Sequence, residues 1–226
     1  MTLSSLAMSW CVDSFFVPQE PDAATAARLE RCREFRARVL FDGGRRPEFR
    51  AADGRYVDAQ VLDLGSWHFT ARQGPGGPVI GYIRLVTPGT VEHFQSRVFL
   101  GPERFTALLR VEEAGAGGVF EHSRLVVDAT ARGLGLGAYM YAVAMAAARQ
   151  LGAEAMIGIS GTADGQFRLY KRFGFHIVKG TRSYVEHYGE DVCVIFNHTA
   201  DGAGEFEALV ERLHGELDVR PSTVAR

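Results

Sequence analysis

The stretch Ser123-Arg-Leu-Val-Val-Asp-Ala-Thr-Ala-Arg-Gly-Leu-Gly-Leu-Gly-Ala-Tyr-Met140 constrains this chain more than any other. A β-branched run leads to Arg132, three alternating glycines follow, and an almost wholly apolar segment begins at once. This is the pattern of a strand, a tight turn and a buried helix. Glycine reaches backbone angles that side chains forbid, so the chain turns back within a few residues. The first N–H groups of the helix, at its positive dipole end, then face into the turn without intrahelical partners. A phosphate is the ligand such a turn suits. Arg132 sets a cation beside those amides, so a pyrophosphate or a phosphopantetheine would be held by charge as well as by hydrogen bonds. The candidate binding residues are Arg132, Gly133, Leu134, Gly135, Leu136, Gly137 and Ala138, with Val126 and Val127 at the strand's end.

The spacing argues against two other phosphate ligands. Gly-x-Gly-x-Gly differs from the Gly-x-Gly-x-x-Gly of dinucleotide folds and lacks the Gly-Lys-Ser/Thr ending of a P-loop. A dinucleotide site also wants an acidic residue at the end of the next strand, whereas Glu154 precedes Ala155-Met-Ile-Gly-Ile-Ser160.

At 226 residues, 46% hydrophobic and 23% charged, the chain has the make-up of a globular protein and not of a disordered or fibrous one. A net charge of −2 gives no global cue for nucleic-acid binding. Cys11, Cys32 and Cys193 are odd in number and lack paired spacing, which points to a reducing compartment and away from a disulfide or zinc framework. Residues 1–19 lack a basic start and a long apolar run, so neither a signal peptide nor a membrane span is expected, and the location expected is cytoplasmic. The seven histidines show no metal-ligand spacing, and no metal is expected.

Taken in order, Pro21 to Phe41 carries Leu29, Cys32, Phe35 and Val39 at helical spacing, ended by Gly43-Gly44. Arg28, Arg31, Arg33, Arg36 and Arg38 decorate this helix; they read either as a solvated face balanced by Glu30 and Glu34 or as a docking surface for an acidic partner. Trp67 to Arg72 and Val79 to Val86 flank Gln73-Gly-Pro-Gly-Gly-Pro78 and predict a hairpin. Phe94 to Glu113 predicts a helix broken near Gly101-Pro102, and Val119 to Asp128 the central strand. After the helix over 138–151, a strand at 155–160, a helix near 165–173 and strands around 176–185 and 191–197 are expected. A final helix over 205–217 would cover the core or a sister subunit, and 220–226 a loose tail. With no repeat and no linker in view, residues 1–226 read as a single domain with an arginine-rich helical region at about 21–45.

Arg132-Gly-Leu-Gly-Leu-Gly137 resembles the Arg/Gln-x-x-Gly-x-Gly/Ala signature of the GNAT acyltransferases, and Phe167-Arg-Leu-Tyr170-Lys-Arg-Phe-Gly174-Phe175 resembles their second motif. Upstream, Arg33-Glu-Phe-Arg36-Ala-Arg38-Val-Leu-Phe41, Asp58 and Asp63 before Trp67-His68, Gly81-Tyr-Ile-Arg84-Leu85 and Glu121-His-Ser-Arg124 resemble, in order, a branch of that family. That branch holds the N-acyl amino acid synthases and the acyl-homoserine-lactone autoinducer synthases. Asp58 and Asp63 are spaced more widely than the autoinducer synthases' acidic pair, which favours the amino acid synthase side. The resemblance implies an α/β GNAT fold, a mixed, mostly antiparallel twisted sheet between helices in three layers. It implies an acyltransferase moving a fatty acyl group to a primary amine of an amino acid or similar small molecule. The implied co-substrate is an acyl-phosphopantetheine thioester on acyl carrier protein or coenzyme A, with no tightly bound cofactor.

Attack of an amine on a thioester requires a deprotonated amine, a stabilised oxyanion and a protonated leaving thiolate. Glu121 is the candidate base, directly or through water, with an ion pair to Arg84 or Arg124 as its alternative. Tyr170 is the candidate donor to the sulfur, and Asp63, Arg84 and Arg124 the candidates for holding the acceptor, or else structural salt bridges. Strict alternation sets Glu121 and Arg124 on opposite sheet faces, so their joint action predicts a β-bulge between them. Arg28, Arg31, Arg38, Arg45 and Arg46 with Lys171-Arg172 offer a field for an acidic carrier protein, and Trp67, Phe69, Phe94, Phe99 and Phe105 offer lining for an acyl tunnel. An acetyl-CoA-dependent N-acetyltransferase and a non-catalytic binding protein remain open alternatives. The acceptor, the chain length, the choice of carrier and the oligomeric state are not encoded legibly.

Overall fold

Aromatic and β-branched residues on both sides of the Gly-Pro turn pair as expected: Ser66–Gln73 (β2) and Val79–Val86 (β3) run antiparallel in the computed structural model, which describes residues 10–162 and 166–219. On one side of this hairpin lies Trp10–Val17 (β1); on the other lie Val119–Val127 (β4), Ala155–Gly161 (β5), Glu190–His198 (β8) and the two-residue strand His176–Ile177 (β6), in the order β1-β2-β3-β4-β5-β8-β6. Ser183–Val185 (β7) also pairs with β8. Every pairing is antiparallel except β4 with β5.

Helices cover both faces. Ala23–Asp42 (α1), Gln95–Leu100 (α2) and Pro102–Val111 (α3) lie on one, and Leu136–Gln150 (α4), Gln166–Arg172 (α5) and Glu207–Glu216 (α6) on the other. The three-layer α/β arrangement is the one the sequence led to. Asp22 caps α1 by accepting from the Thr25 N–H at 2.7 Å. Leu29, Cys32, Phe35 and Val39 of α1 bury against Phe15, Val17, Tyr82 and Val126. α4 is inaccessible from Met140 to Ala148, as an all-round apolar helix must be. α6 packs on it through Val210 and Leu213, and Arg149 clamps Glu207 and Glu211 at 2.8 and 2.6 Å.

Three details depart from expectation. No strand was anticipated before Pro21, yet β1 pairs along its whole length with β2; Trp-Cys-Val-Asp-Ser-Phe-Phe-Val does not alternate cleanly, and the neighbouring strand decides its conformation. The strand expected over 176–185 is two short ones, because Gly180 (φ 78°) turns the chain and Thr181 both donates to the Val178 carbonyl and accepts the Val194 N–H. Arg36, read as part of a solvated face, is wholly buried. The segments 1–9 and 220–226, the latter expected as a tail, lie outside the described residues. Among the described residues no helix is long and apolar enough to cross a membrane.

Candidate active site

The glycine turn is built as its sequence suggests. Asp128 accepts from the Thr130 N–H and hydroxyl, a single turn of 3-10 helix follows, and Gly133 (φ 77°) and Gly135 (φ 85°) reverse the chain in the left-handed region. Gly135 is the N-cap of α4, which begins at Leu136, two residues earlier than expected. The first intrahelical bond is from Tyr139 N–H to Gly135 O, so the amides of Leu136, Gly137 and Ala138 are the helix's unpaired donors. The Leu136 side chain is buried against β3 at Gly81, and only its backbone faces the turn. Arg132 is exposed and donates through Nε to the Val127 carbonyl at 3.1 Å, which fixes its stem beside the turn.

Upstream of this turn the central strands part. β4 and β5 pair only from Val119↔Ala155 to Glu121↔Ile157. Past that rung β4 stays with β3 and β5 with β8, and a wedge opens between them. A cleft of about 440 Å³ occupies it, bordered by His122, Ser123, Arg124, Val126, Ile159 and Tyr170 among others. Arg46 and Tyr188 meet at its rim, the guanidinium carbon 4.1 Å from the ring centroid. The residues of the turn from Arg132 onward do not themselves border it.

The β-bulge expected between Glu121 and Arg124 is present. Tyr82 pairs with Val126 but Arg84 with Ser123, so β4 carries one extra residue, and Arg124 adopts φ 57°, one of two described non-glycine residues with positive φ. The parity of the strand changes there. Glu121 and Ser123 face the α1–α3 side, and beyond the bulge Val126 does too, while Leu125 and Val127 pack toward α4. Arg124 thereby reaches Asp58 at 3.1 Å on the same side.

Asp63, Arg84 and Arg124, named together from the sequence as acceptor holders or structural salt bridges, belong to one buried network. The Asp63 carboxylate accepts from Arg36 Nη1 (2.7 Å), Arg84 Nη1 (2.6 Å) and Arg33 Nε (2.9 Å). Arg36 also pairs with Asp58 at 3.0 Å, and Arg84 donates to the Ser123 hydroxyl and to Oε1 of the Gln60 side chain. His68 Nε2 lies 2.8 Å from the Asp63 backbone carbonyl, which only accepts; the ring is therefore protonated there, and Nδ1 accepts from the Tyr82 hydroxyl at 2.7 Å. Burial works to raise the Asp63 carboxyl, but Arg36 and Arg84 outweigh it and hold it far below the usual carboxylate range. Burial depresses the His68 imidazole to about 3, leaving it neutral. Four guanidiniums meet two inner carboxylates, and Arg124 carries this positive balance to the cleft wall.

Glu121 is not ion-paired with Arg84 or Arg124. Its Oε1 accepts the Gln95 N–H, and its Oε2 accepts the Ser96 N–H and hydroxyl, all at 2.7–2.8 Å, so it caps α2. Burial raises its carboxyl, opposed by these bonds. Tyr170 is buried on the cleft wall, its ring centroid 5.1 Å from that of His122 and 4.9 Å from that of Tyr141.

The sequence reading did not select Arg36 or His122 as site residues. Arg36 sits on the apolar stripe itself, four residues after Cys32 and three before Val39; an arginine in that register had to be buried and paired. His122 carried no such signal. Of the five aromatic residues proposed as tunnel lining, none borders this cleft; Trp67, Phe69, Phe94 and Phe105 are core. Of the cations proposed as a docking field, Arg46 is buried, and Arg28, Arg38 and Arg172 are paired with Asp13, Asp128 and Glu205, while Arg31, Arg45 and Lys171 are exposed.

Residues 45–175, more than half of the chain, match the acetyltransferase (GNAT) family. The chain belongs to the GNAT family. It is an acyltransferase, and the wedge between β4 and β5 with the glycine turn beside it is the candidate site. Solved structures with a similar fold include TofI in a ternary complex with an inhibitor and MTA (21% identity, 88% of this chain and 96% of that one, TM-score 0.61). The CoA-dependent acyl-homoserine lactone synthase BjaI with SAM and isopentyl-CoA is similar over 92% of this chain and 89% of its own (18% identity, TM-score 0.61). The AHL synthase LasI is similar over 95% and 100% (16% identity, TM-score 0.60). No curated protein matches the GNAT chain by sequence.

Proposed function

We propose that this enzyme moves an acyl group from a phosphopantetheine thioester, on acyl carrier protein or coenzyme A, to the primary amine of an amino acid or related small molecule. The observation that carries the reading is the bulge at Arg124, which brings a positively biased ion network to the wall of the cleft where β4 and β5 part. The amides of residues 136–138 and Arg132 hold the phosphate of the arm, which runs between the strands past Val126 and brings the thioester to the point where they separate. A bulge leaves a peptide group outside the ladder, and the one at Arg124-Leu125 is the proposed oxyanion donor. Arg124, held by Asp58, receives the acceptor's carboxylate, while Arg84, paired with Asp63, fixes the neighbouring Ser123.

The amine nitrogen bonds to the thioester carbon and the carbon–sulfur bond breaks. The ammonium proton leaves through water to Glu121, whose Oε1 accepts one protein hydrogen bond and retains a lone pair. Tyr170 gives a proton to the departing thiolate and regains one from the nitrogen as the amide forms. Support for a carrier or CoA donor comes from the two sequence motifs and from the likeness to synthases such as BjaI, whose structure holds isopentyl-CoA. The free cysteines Cys11, Cys32 and Cys193 fit a cytoplasmic enzyme. The test is release of thiol from acyl-CoA and acyl carrier protein with a panel of amino acids, with the N-acyl product read by mass spectrometry. Amine-dependent thiol release supports the reading, and none with any amine overturns it. Charge reversal at Arg31 and Arg45, both exposed, raises KM for acyl carrier protein alone if the carrier docks there.

A further inference from the structure

The wall at the closed end of the cleft is unlike the rest of it. His122 is the first β4 residue past the last rung shared with β5, and its ring spans the gap: a Cβ on Gly158, its neighbour across the gap, would lie 2.3 Å from His122 Nε2. Only glycine at 158 leaves room for that ring. Behind it stand Tyr141, Tyr170 and Phe175, with centroids 4.9, 5.1 and 5.4 Å from the imidazole, and Phe173 packs 4.8 Å from Tyr141. Ring packing surrounds this imidazole at Nε2: among the described residues, neither His122 Nε2 nor the Tyr141 hydroxyl, both buried, has a hydrogen-bond partner. A nitrogen left unpaired at this depth costs stability, so the fold keeps a bulky plug here at a net loss.

We propose that His122, seated over Gly158, is the end wall of the acyl site and restricts this enzyme to short acyl groups. The inference rests on the thioester reaching the point where the strands separate, as in the reading above. An acyl chain extending past the thioester carbon meets the imidazole first, and the space a longer chain needs is filled by Tyr141, Phe175 and Phe173. The aromatic side chains offered by the sequence for a long tunnel lie away from this path. His122 is a specificity-determining residue in this account and takes no part in proton transfer.

The experiment is calorimetric titration of the wild-type chain and of His122→Ala and His122→Phe with acetyl-, butyryl-, octanoyl- and dodecanoyl-CoA, with thiol release measured on the same samples. The wild type is expected to bind butyryl-CoA at least tenfold more tightly than octanoyl-CoA. Each methylene admitted to an apolar site gains about fourfold in affinity, so removing the plug is expected to close that gap or reverse it in His122→Ala. His122→Phe keeps an aromatic ring at least as large in that place and is expected to keep the wild-type order; it serves where His122→Ala does not fold. A wild type that binds dodecanoyl-CoA best, a His122→Ala variant with unchanged order, or a His122→Phe variant that turns to long chains overturns the proposal. Chain-length ordering without amine-dependent turnover leaves the end wall standing and removes the proposed reaction. No binding of any thioester removes both.

Discussion

On the α1 side of the cleft the buried aspartate–arginine network is paired throughout: Asp63 accepts from Arg33, Arg36 and Arg84, and Asp58 is shared by Arg36 and Arg124. On the α4 side the buried polar atoms His122 Nε2 and Tyr141 Oη have no partner among the described residues and are held among aromatic rings. The first wall is fixed by hydrogen bonds whose loss strands charges, so it suits the orientation of a charged acceptor. The second is fixed by shape, so it suits the exclusion of what does not fit. Paired and packed walls meet at the bulge, where β4 changes the face it presents.

The contrast breaks most visibly at Asp63. Asp63→Asn leaves Arg36 and Arg84 buried without their shared carboxylate and is expected to cost about 3–5 kcal/mol in denaturant-induced unfolding. A loss under about 1 kcal/mol would mean the network is not the rigid wall described. Glu121→Gln separates a cap from a base: about a hundredfold lower kcat is expected if the carboxylate takes the amine's proton, in addition to weaker capping of α2. Unchanged kcat with lowered Tm would leave Glu121 as a cap alone. Tyr170→Phe is expected to lower kcat by about tenfold or more while donor affinity shifts less, and equal losses would contradict its role at the sulfur.

The two walls also titrate apart. Asp63 ionises far below its unfolded value of 3.8, so the unfolded chain takes up that proton first and the network's contribution is lost only as pH falls below about 4. Burial alone depresses His122 from 6.5 to about 3, so the unfolded chain binds its proton first between those values and stability already declines as pH falls through 6.5. His122→Phe is expected to flatten that decline by up to about 1.4 kcal/mol per pH unit, with His68 accounting for a share that remains. At pH 8 the same variant is the smallest change of all, within about 1 kcal/mol of wild type or more stable, because it deletes an unpaired nitrogen.

What was legible in the sequence follows the reach of each signal. The α1 boundaries at Asp22 and Gly43 and the break at Gly101-Pro102 are set by local chemistry and stand where they were read, and the strand–glycine–helix motif does so but for a helix that starts two residues early. The bulge was deducible because two residues assigned a shared task in the sequence reading had the wrong parity. β1 and the split of 176–185 were not legible, since both depend on what the partner strand supplies. Arg36 was legible only by asking why an arginine shares a stripe with Cys32 and Val39, and the Glu121 carboxylate's use as a cap for α2 needs a contact 25 residues away. His122 is beyond sequence reading, because its meaning comes from Gly158 opposite and from a gap between strands.

The central claim is that backbone amides at the start of α4 hold the phosphorylated arm of a thioester carrier and that the arm lies between β4 and β5. Amide-detected NMR titration of the full chain with coenzyme A tests it most directly. The account predicts the largest shifts at Gly133, Gly135, Gly137 and Ala138, with further changes at Leu125, Val126 and Ile159 along the cleft. Saturable shifts confined to another surface, or no shifts at millimolar coenzyme A and none with holo acyl carrier protein, would contradict it.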